Sequence, residues 1–191
     1  MKKAGIISLG CPRNLVDSEV ILGSLKKNGF AIAELDEGVD VCVVNTCSFI
    51  GSAKQESIDT ILEAAELKKE GRIGKLVVSG CLSQLAKGEL LEEIPEIDLV
   101  LGTSDYPNIG SLLSGLGDNR SAEVSGKLTY LYDEDSPRFT LTPSHYGYVK
   151  ISEGCSNRCS YCIISSLRGN FRSRAIESIT EEIDRLSADG I

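Results

Sequence analysis

Cysteine is the residue type in this chain best placed to do chemistry: there are seven, against a single histidine and no tryptophan. Cys155, Cys159 and Cys162 form a CxxxCxxC run inside Glu153-Gly154-Cys155-Ser156-Asn157-Arg158-Cys159-Ser160-Tyr161-Cys162. Spacing this close lets one loop wrap a single cubic iron–sulfur cluster with three thiolates, leaving the fourth iron open to a substrate. Two other chemistries fit part of the run: a zinc site completed by His145, or a redox pair made by Cys159 and Cys162. Neither accounts for the third cysteine. Cys11, Cys47 and Cys81 are scattered in sequence, yet each follows an apolar run and precedes an amphipathic one. Ligands of open α/β sheets bind at the carboxyl ends of strands, so these thiols either converge on a second cluster or are small buried residues. Cys42, inside Val41-Cys42-Val43-Val44, is expected to pack in the core.

The elements that must position these thiols are legible in the hydrophobic pattern. Ala4 to Leu9, Val39 to Val44, Lys75 to Ser79 and Asp98 to Leu101 read as buried strands, dense in Ile, Val and Leu. Between them the pattern predicts helices near Leu15 to Lys27, Ala53 to Lys69, Gln84 to Glu93 and Tyr106 to Leu113, with Val16, Val20, Leu22 and Leu25 of the first turned to the sheet. Alternating strands and helices predict an α/β fold with a parallel sheet. Gly and Ser from Ser114 to Gly126 mark the end of a first domain, residues 1–126. Residues 127–145 read as a linker or hairpin, with Leu128 to Tyr132 and Arg138 to Thr142 as its arms. Residues 146–191 read as a strand from Tyr146 to Ser152, the cysteine loop, and a helix from Ile176 to Leu186 with Ile176, Ile179, Ile183 and Leu186 on one face.

The composition, 41% hydrophobic and 25% charged over 191 residues, is that of a globular protein. A formal net charge of -8 excludes a surface built broadly for nucleic acid. The apolar stretch before Cys11 is too short for an export signal or a membrane span, and Ser8-Leu9-Gly10-Cys11 followed by Pro12-Arg13 is a poor lipoprotein site. An odd number of cysteines without an export signal predicts reduced thiols in the cytoplasm and no membrane association.

Four stretches carry a family resemblance: Ser8-Leu9-Gly10-Cys11-Pro12-Arg13-Asn14-Leu15-Val16-Asp17-Ser18-Glu19, Asn45-Thr46-Cys47-Ser48-Phe49-Ile50, Gly80-Cys81-Leu82-Ser83 and Ile151-Ser152-Glu153-Gly154-Cys155. They resemble the radical S-adenosylmethionine methylthiotransferases over the whole chain. Pro12-Arg13-Asn14 is similar to the branch that modifies an aspartate of ribosomal protein S12; the tRNA-modifying branch usually has Gln-Met-Asn there. Ser165 departs from the proline commonly found about three residues after the last cluster cysteine.

The resemblance implies two 4Fe–4S clusters, on Cys11, Cys47 and Cys81 and on Cys155, Cys159 and Cys162, with S-adenosyl-L-methionine bound at the open iron of the second. There one electron from an external donor yields a deoxyadenosyl radical, which takes hydrogen from an unactivated carbon. The first cluster would hold the sulfur or methylthio group to be delivered. Residues 146–191 would be the first β-loop-α unit of a TIM-like barrel that continues, with a substrate-binding module, beyond Ile191, so the fragment alone is expected to be inactive. The implied partners are ribosomal protein S12 or the small ribosomal subunit, with tRNA the alternative substrate. Arg158, Arg168, Arg172 and Arg174 flank the second site, either to pair with a carboxylate of cofactor or substrate or as a solvated rim. The rival from another class is a non-catalytic zinc or iron–sulfur scaffold.

Overall fold

The computed structural model describes residues 1–191. β1 (Lys3–Ser8), β2 (Ala31–Ile32), β3 (Val39–Thr46), β4 (Ile73–Gly80), β5 (Ile97–Leu101) and β6 (Ser121–Glu123) form one sheet in the order β2-β1-β3-β4-β5-β6. Every neighbouring pair is parallel, as the alternation of apolar runs predicts. The four predicted strands are β1, β3, β4 and β5; β2 and β6 are short edges that the pattern does not reveal.

Side chains alternate across the sheet, and the two faces build two cores. Val41 and Val43 join Val16, Val20, Ile21, Leu22 and Leu25 of α1 (Pro12–Lys27) on one face. Cys42 and Val44 join Ile61, Ala64 and Ala65 of α2 (Gly51–Lys69) on the other. Pro12 opens α1, where its missing N–H costs nothing and its fixed φ suits the first turn. The predicted helix from Gln84 to Glu93 is two, α3 (Cys81–Ala86) and α4 (Glu89–Glu93), broken where Lys87 takes a φ of 50°. The helix predicted from Tyr106 starts as a 3₁₀ turn around Pro107 and becomes α5 (Ile109–Leu116).

Of the two readings of residues 127–145, the hairpin does not form and the extended linker does. This stretch is an extended strap across the side of α1 that the sheet leaves bare. The Phe139 N–H donates to the Glu19 carbonyl at 2.9 Å and the Leu141 N–H to Glu19 Oε1 at 2.8 Å. Tyr132 is buried in the α1 core, with Tyr130 and Phe139 against it. The strand expected from Tyr146 shrinks to β7 (Ser152–Glu153), antiparallel to β8 (Arg172–Ser173), because no other strand of the chain runs beside it. Between them lies α6 (Ile164–Arg168), and α7 (Ile176–Ala188) ends the chain. The predicted apolar face of α7 is corrected in part: Ile179 and Leu186 are half-buried, but Ile176 and Ile183 are exposed, and Ser178 and Glu182 are the buried residues. Glu182 faces inward because it pairs with buried Arg174 and half-buried Arg138. No helix is long and apolar enough to cross a membrane.

Gly23 of α1 lies directly under the strap, and a Cβ built there would collide with the Pro137 carbonyl and reach 2.5 Å from the Arg138 nitrogen. Gly to Ala within a helix ordinarily stabilises by about 0.5–1 kcal/mol. Here the collision should outweigh that gain, so Gly23→Ala is expected to lose about 1–3 kcal/mol. Urea unfolding and faster proteolysis between residues 133 and 142 measure it; a more stable variant would mean that the strap does not lie on α1.

Candidate functional site

The sheet order places a reversal between β1 and β3: the chain leaves β1 for β2 on one side and returns to β3 on the other. The carboxyl edge beside such a reversal is where open α/β sheets hold ligands. Cys11 follows β1 and immediately precedes α1, Cys47 follows β3, and Cys81, the first residue of α3, follows β4. These three line one cavity of about 800 Å³ together with Cys155 and Cys162. Its remaining walls are largely apolar, with Phe49, Ile50, Ala53, Ile164 and Leu167 among them. Cys159 stands apart, in an adjoining hollow shared with Cys162 and Arg158. Cys47 is buried, Cys81, Cys155 and Cys162 are half-buried, and Cys11 and Cys159 are exposed. No trio of His, Cys, Asp or Glu side chains is close enough to hold a single metal ion. His145 stacks edge-on against Tyr146, with ring centroids 4.9 Å apart.

Three of the cysteine loops turn on a glycine with positive φ: Gly10 at 88°, Gly80 at 99° and Gly154 at 74°. Space demands glycine at each. A Cβ on Gly10 would sit 2.9 Å from Cys47 Sγ, one on Gly80 would sit 2.5 Å from the Thr46 carbonyl, and one on Gly154 would strike the Gly169 and Asn170 carbonyls. Close approach of the loops therefore depends on these positions.

Side chains that the sequence motifs contain, but to which spacing assigns no role, clamp the loops together. Asn14 Nδ2 donates to the carbonyls of Leu9, at 2.8 Å, and Thr46, at 2.9 Å, tying the Cys11 loop to the Cys47 loop. Asn45 Nδ2 returns a bond to the Asn14 carbonyl at 2.9 Å. Thr46 Oγ1 donates to the Ser79 carbonyl at 2.6 Å and accepts from the Leu82 N–H at 3.2 Å, which joins the Cys47 and Cys81 loops. Ser57, on α2, accepts from the Cys47 N–H at 2.9 Å and donates to its carbonyl at 2.8 Å. The run Asn45-Thr46 before Cys47 was the available signal; nothing in the sequence singles out Ser57.

The arginines are neither a uniform rim nor a free set of cofactor contacts. Arg158 is exposed. Arg172 donates to the carbonyls of Asn170, at 2.8 Å, and Tyr130, at 3.3 Å. Arg174 is buried, ion-paired with Glu182 and laid over the Tyr132 ring at 4.4 Å. Arg168, at the end of α6, is 2% exposed and ion-paired with Asp17 of α1. Its Nη2 donates to Asn14 Oδ1 at 3.0 Å and to Cys81 Sγ at 3.4 Å. Lys150 completes the group, 2.5 Å from Asp17 and 2.9 Å from Glu153, and Tyr106 Oη donates to Asp17 at 2.8 Å.

Burial alone would push the Asp17 carboxyl up, but Arg168 and Lys150 overcome it and hold the group below the ordinary carboxylate range. Burial raises the Cys81 thiol, with Arg168 opposing the rise. Burial pushes Cys42 up to about 12, with no cation beside it to counter, which keeps that sulfur a neutral core thiol.

Residues 3–102 match the model of the family described as Uncharacterized protein family UPF0004. The chain belongs to that family. Over its full length this UPF0004 chain is 51% identical to the ribosomal protein uS12 methylthiotransferase RimO of Desulforamulus reducens, 47% to that of Trichlorobacter lovleyi and 48% to that of Clostridioides difficile. It spans 43%, 42% and 43% of those relatives' lengths. These matches bear out the resemblance to the methylthiotransferases, in the ribosomal-protein branch.

The donor set of this UPF0004 chain suits a cubic cluster better than a single ion. In a four-iron cube each thiolate takes a different iron, so its ligands stand apart by the width of the cluster. The cysteines ring a cavity instead of meeting at a point, and apolar walls with few competing oxygens suit a sulfur-ligated iron group.

Asp17→Asn keeps the shape and removes the charge that Arg168 and Lys150 face. Breaking a buried pair this way typically costs about 3–5 kcal/mol, measurable by denaturant unfolding at neutral pH. The pH dependence has a definite sign. A carboxyl held low in the fold adds stability above its unfolded value of about 3.9, and that stability is lost as pH falls through the lower folded value. The steep acid limb below about pH 4 should therefore flatten in Asp17→Asn. An unchanged limb would assign it to other carboxylates.

Proposed function

We propose that this chain is the front part of a radical S-adenosylmethionine methylthiotransferase that adds a methylthio group to the β-carbon of an aspartate of ribosomal protein uS12. The observation carrying the reading is that five cysteines from two separate segments line one apolar cavity, in a chain about half identical to uS12 methylthiotransferases. Cys11, Cys47 and Cys81 would hold one 4Fe–4S cluster; Cys155, Cys159 and Cys162 would hold the other and bind S-adenosyl-L-methionine at its open iron. When bound, these groups supply one-electron cleavage of adenosylmethionine and the sulfur to be transferred.

The chain's own residues bind, orient and shield. Thiolates are the ligating form, so the nearby Arg168 guanidinium helps Cys81 into it. Asn14, Asn45, Thr46 and Ser57 hold the three loops of the first site in fixed register. Phe49, Ile50, Ala53, Ile164 and Leu167 give the space between the sites an apolar lining with few oxygens to compete for iron. We assign residues 1–126 to the first cluster's domain, 127–145 to a linking strap and 146–191 to the start of the catalytic domain. The reading implies a low-potential electron donor. It also implies a location where ribosomal proteins and reduced thiols coexist, the cytoplasm.

Anaerobic reconstitution tests the ligand sets. Ala at Cys11, Cys47 and Cys81 should remove about four irons per chain and leave the second site loaded, and Ala at Cys155, Cys159 and Cys162 should do the converse. Cys42→Ala should keep all the iron and lose roughly 1 kcal/mol of packing. Loss of all iron from either folded triple variant, or zinc in place of iron, would overturn the two-cluster reading.

The substrate is tested on the longer parent protein. Mass spectrometry of uS12 and of digested tRNA from one reaction should find the methylthio group on the aspartate. A methylthioadenosine signal beside unmodified uS12 would move the assignment to the tRNA branch, the alternative that the charge of -8 disfavours. Adenosylmethionine cleavage by residues 1–191 alone should be slight.

A further inference from the structure

Arg168 belongs by sequence to the second cysteine segment, since α6 begins two residues after Cys162. Its guanidinium nevertheless ends in the first site. Nη2 is 3.4 Å from Cys81 Sγ and 3.0 Å from Asn14 Oδ1, while Nη1 is paired with Asp17 and lies 3.4 Å from Glu153 Oε2. An arginine that is 2% exposed and anchored on two carboxylates has little freedom to swing away. Its planar fork is what lets one group hold an acid with one nitrogen and present an N–H to sulfur with the other.

We propose that Arg168 is a positioning residue of the first site, which through its N–H···Sγ contact with Cys81 tunes the redox potential of the cluster held there. The inference rests on the reading that Cys81 ligates a cluster. A hydrogen bond to a ligand sulfur withdraws electron density from it and favours the more negative, reduced state, so the contact raises the potential. Asp17 works against this by partly neutralising the guanidinium. Asp17 is held by Nη1 and makes no contact with the sulfur, whereas the Nη2 N–H touches it, and the direct contact dominates. A residue of one cysteine segment thus sets a property of the metal group on the other.

The test uses residues 1–191 with Cys155, Cys159 and Cys162 replaced by Ala, so that only the first site loads, reconstituted anaerobically with iron and sulfide. A potentiometric titration followed by electron paramagnetic resonance compares this protein with its Arg168→Met and Arg168→Lys versions. Arg168→Met should make reduction about tenfold less favourable, a fall of ~59 mV for a one-electron couple. Arg168→Lys keeps the charge for Asp17, but its single shorter-reaching ammonium cannot also contact Cys81, so its potential should also fall while the fold is retained. Pulsed resonance should detect an exchangeable proton coupled to the reduced cluster in the parent and not in either variant.

If Arg168→Met does not fold, Arg168→Lys decides alone. Unchanged potentials at full iron content, with the exchangeable proton still present, would overturn the role of Arg168 and leave the cluster reading standing. Absence of iron from the parent with Arg168 intact would overturn the cluster reading itself.

Discussion

Asp17 is the point on which the arrangement of the two cysteine segments turns. It lies on α1, on the flank away from the sheet, and is buried with Arg168 and Lys150, both supplied by the second segment. Glu153 makes the group a neutral quartet of two acids and two bases. A carboxylate cannot be taken out of water alone at tolerable cost; it needs cations in contact and donors for its remaining lone pairs. Such a quartet contributes less net stability than an apolar patch of the same volume would. What it contributes is geometry, because only one docking of the second segment leaves none of the four charges unpaired.

A second quartet works beside it on the same helix. Glu19 takes Arg138 at 2.5 Å, Arg138 takes Glu182 of α7 at 2.6 Å, and Glu182 takes Arg174. The strap therefore crosses α1 with a half-buried charged residue, Arg138, and a buried aromatic plug, Tyr132. α1 is surrounded as a result, with the sheet on one side and the strap and second segment on the other. Cys11 stands at its N-terminus, so whatever fixes α1 also fixes one wall of the cavity.

This explains which parts of the molecule were readable from the sequence. The parallel sheet was legible because strands buried on both faces are continuous apolar runs, and the carboxyl-edge position of Cys11, Cys47 and Cys81 followed from it. Strands of two or three residues at the edges, β2 and β6, bury too little to leave a signal. The charged residues misled more instructively. Asp17, Glu19, Arg138 and Arg168 carry the pattern of solvent-facing positions, and periodicity has no means of recognising charges that neutralise each other across more than a hundred residues. Reading Ile176 and Ile183 into the packed face of α7 with Ile179 and Leu186 is the same error seen from the other side, and the packed reading holds only for the latter two. Arg138 and Arg174 share an acid, Glu182, so the inward side of that helix mixes Ser178 and Glu182 with half-buried Ile179 and Leu186.

The same contacts determine how the two cysteine segments respond to each other. Asn14 accepts from Arg168 and donates to the carbonyls of Leu9 and Thr46, each within two residues of a cysteine. Arg168 also reaches Cys81 directly. One side chain at the end of α6 is therefore in contact, directly or through one intermediary, with all three loops of the first site. α6 in turn is bound to the loop of Cys155, whose N–H donates to the Gly169 carbonyl at 3.0 Å. A displacement of the Cys155 loop large enough to move Gly169 must either drag Arg168 with it or break its pair with Asp17. With a buried pair costing several kcal/mol to break, dragging is the cheaper response, and the first site's loops shift with the second site's.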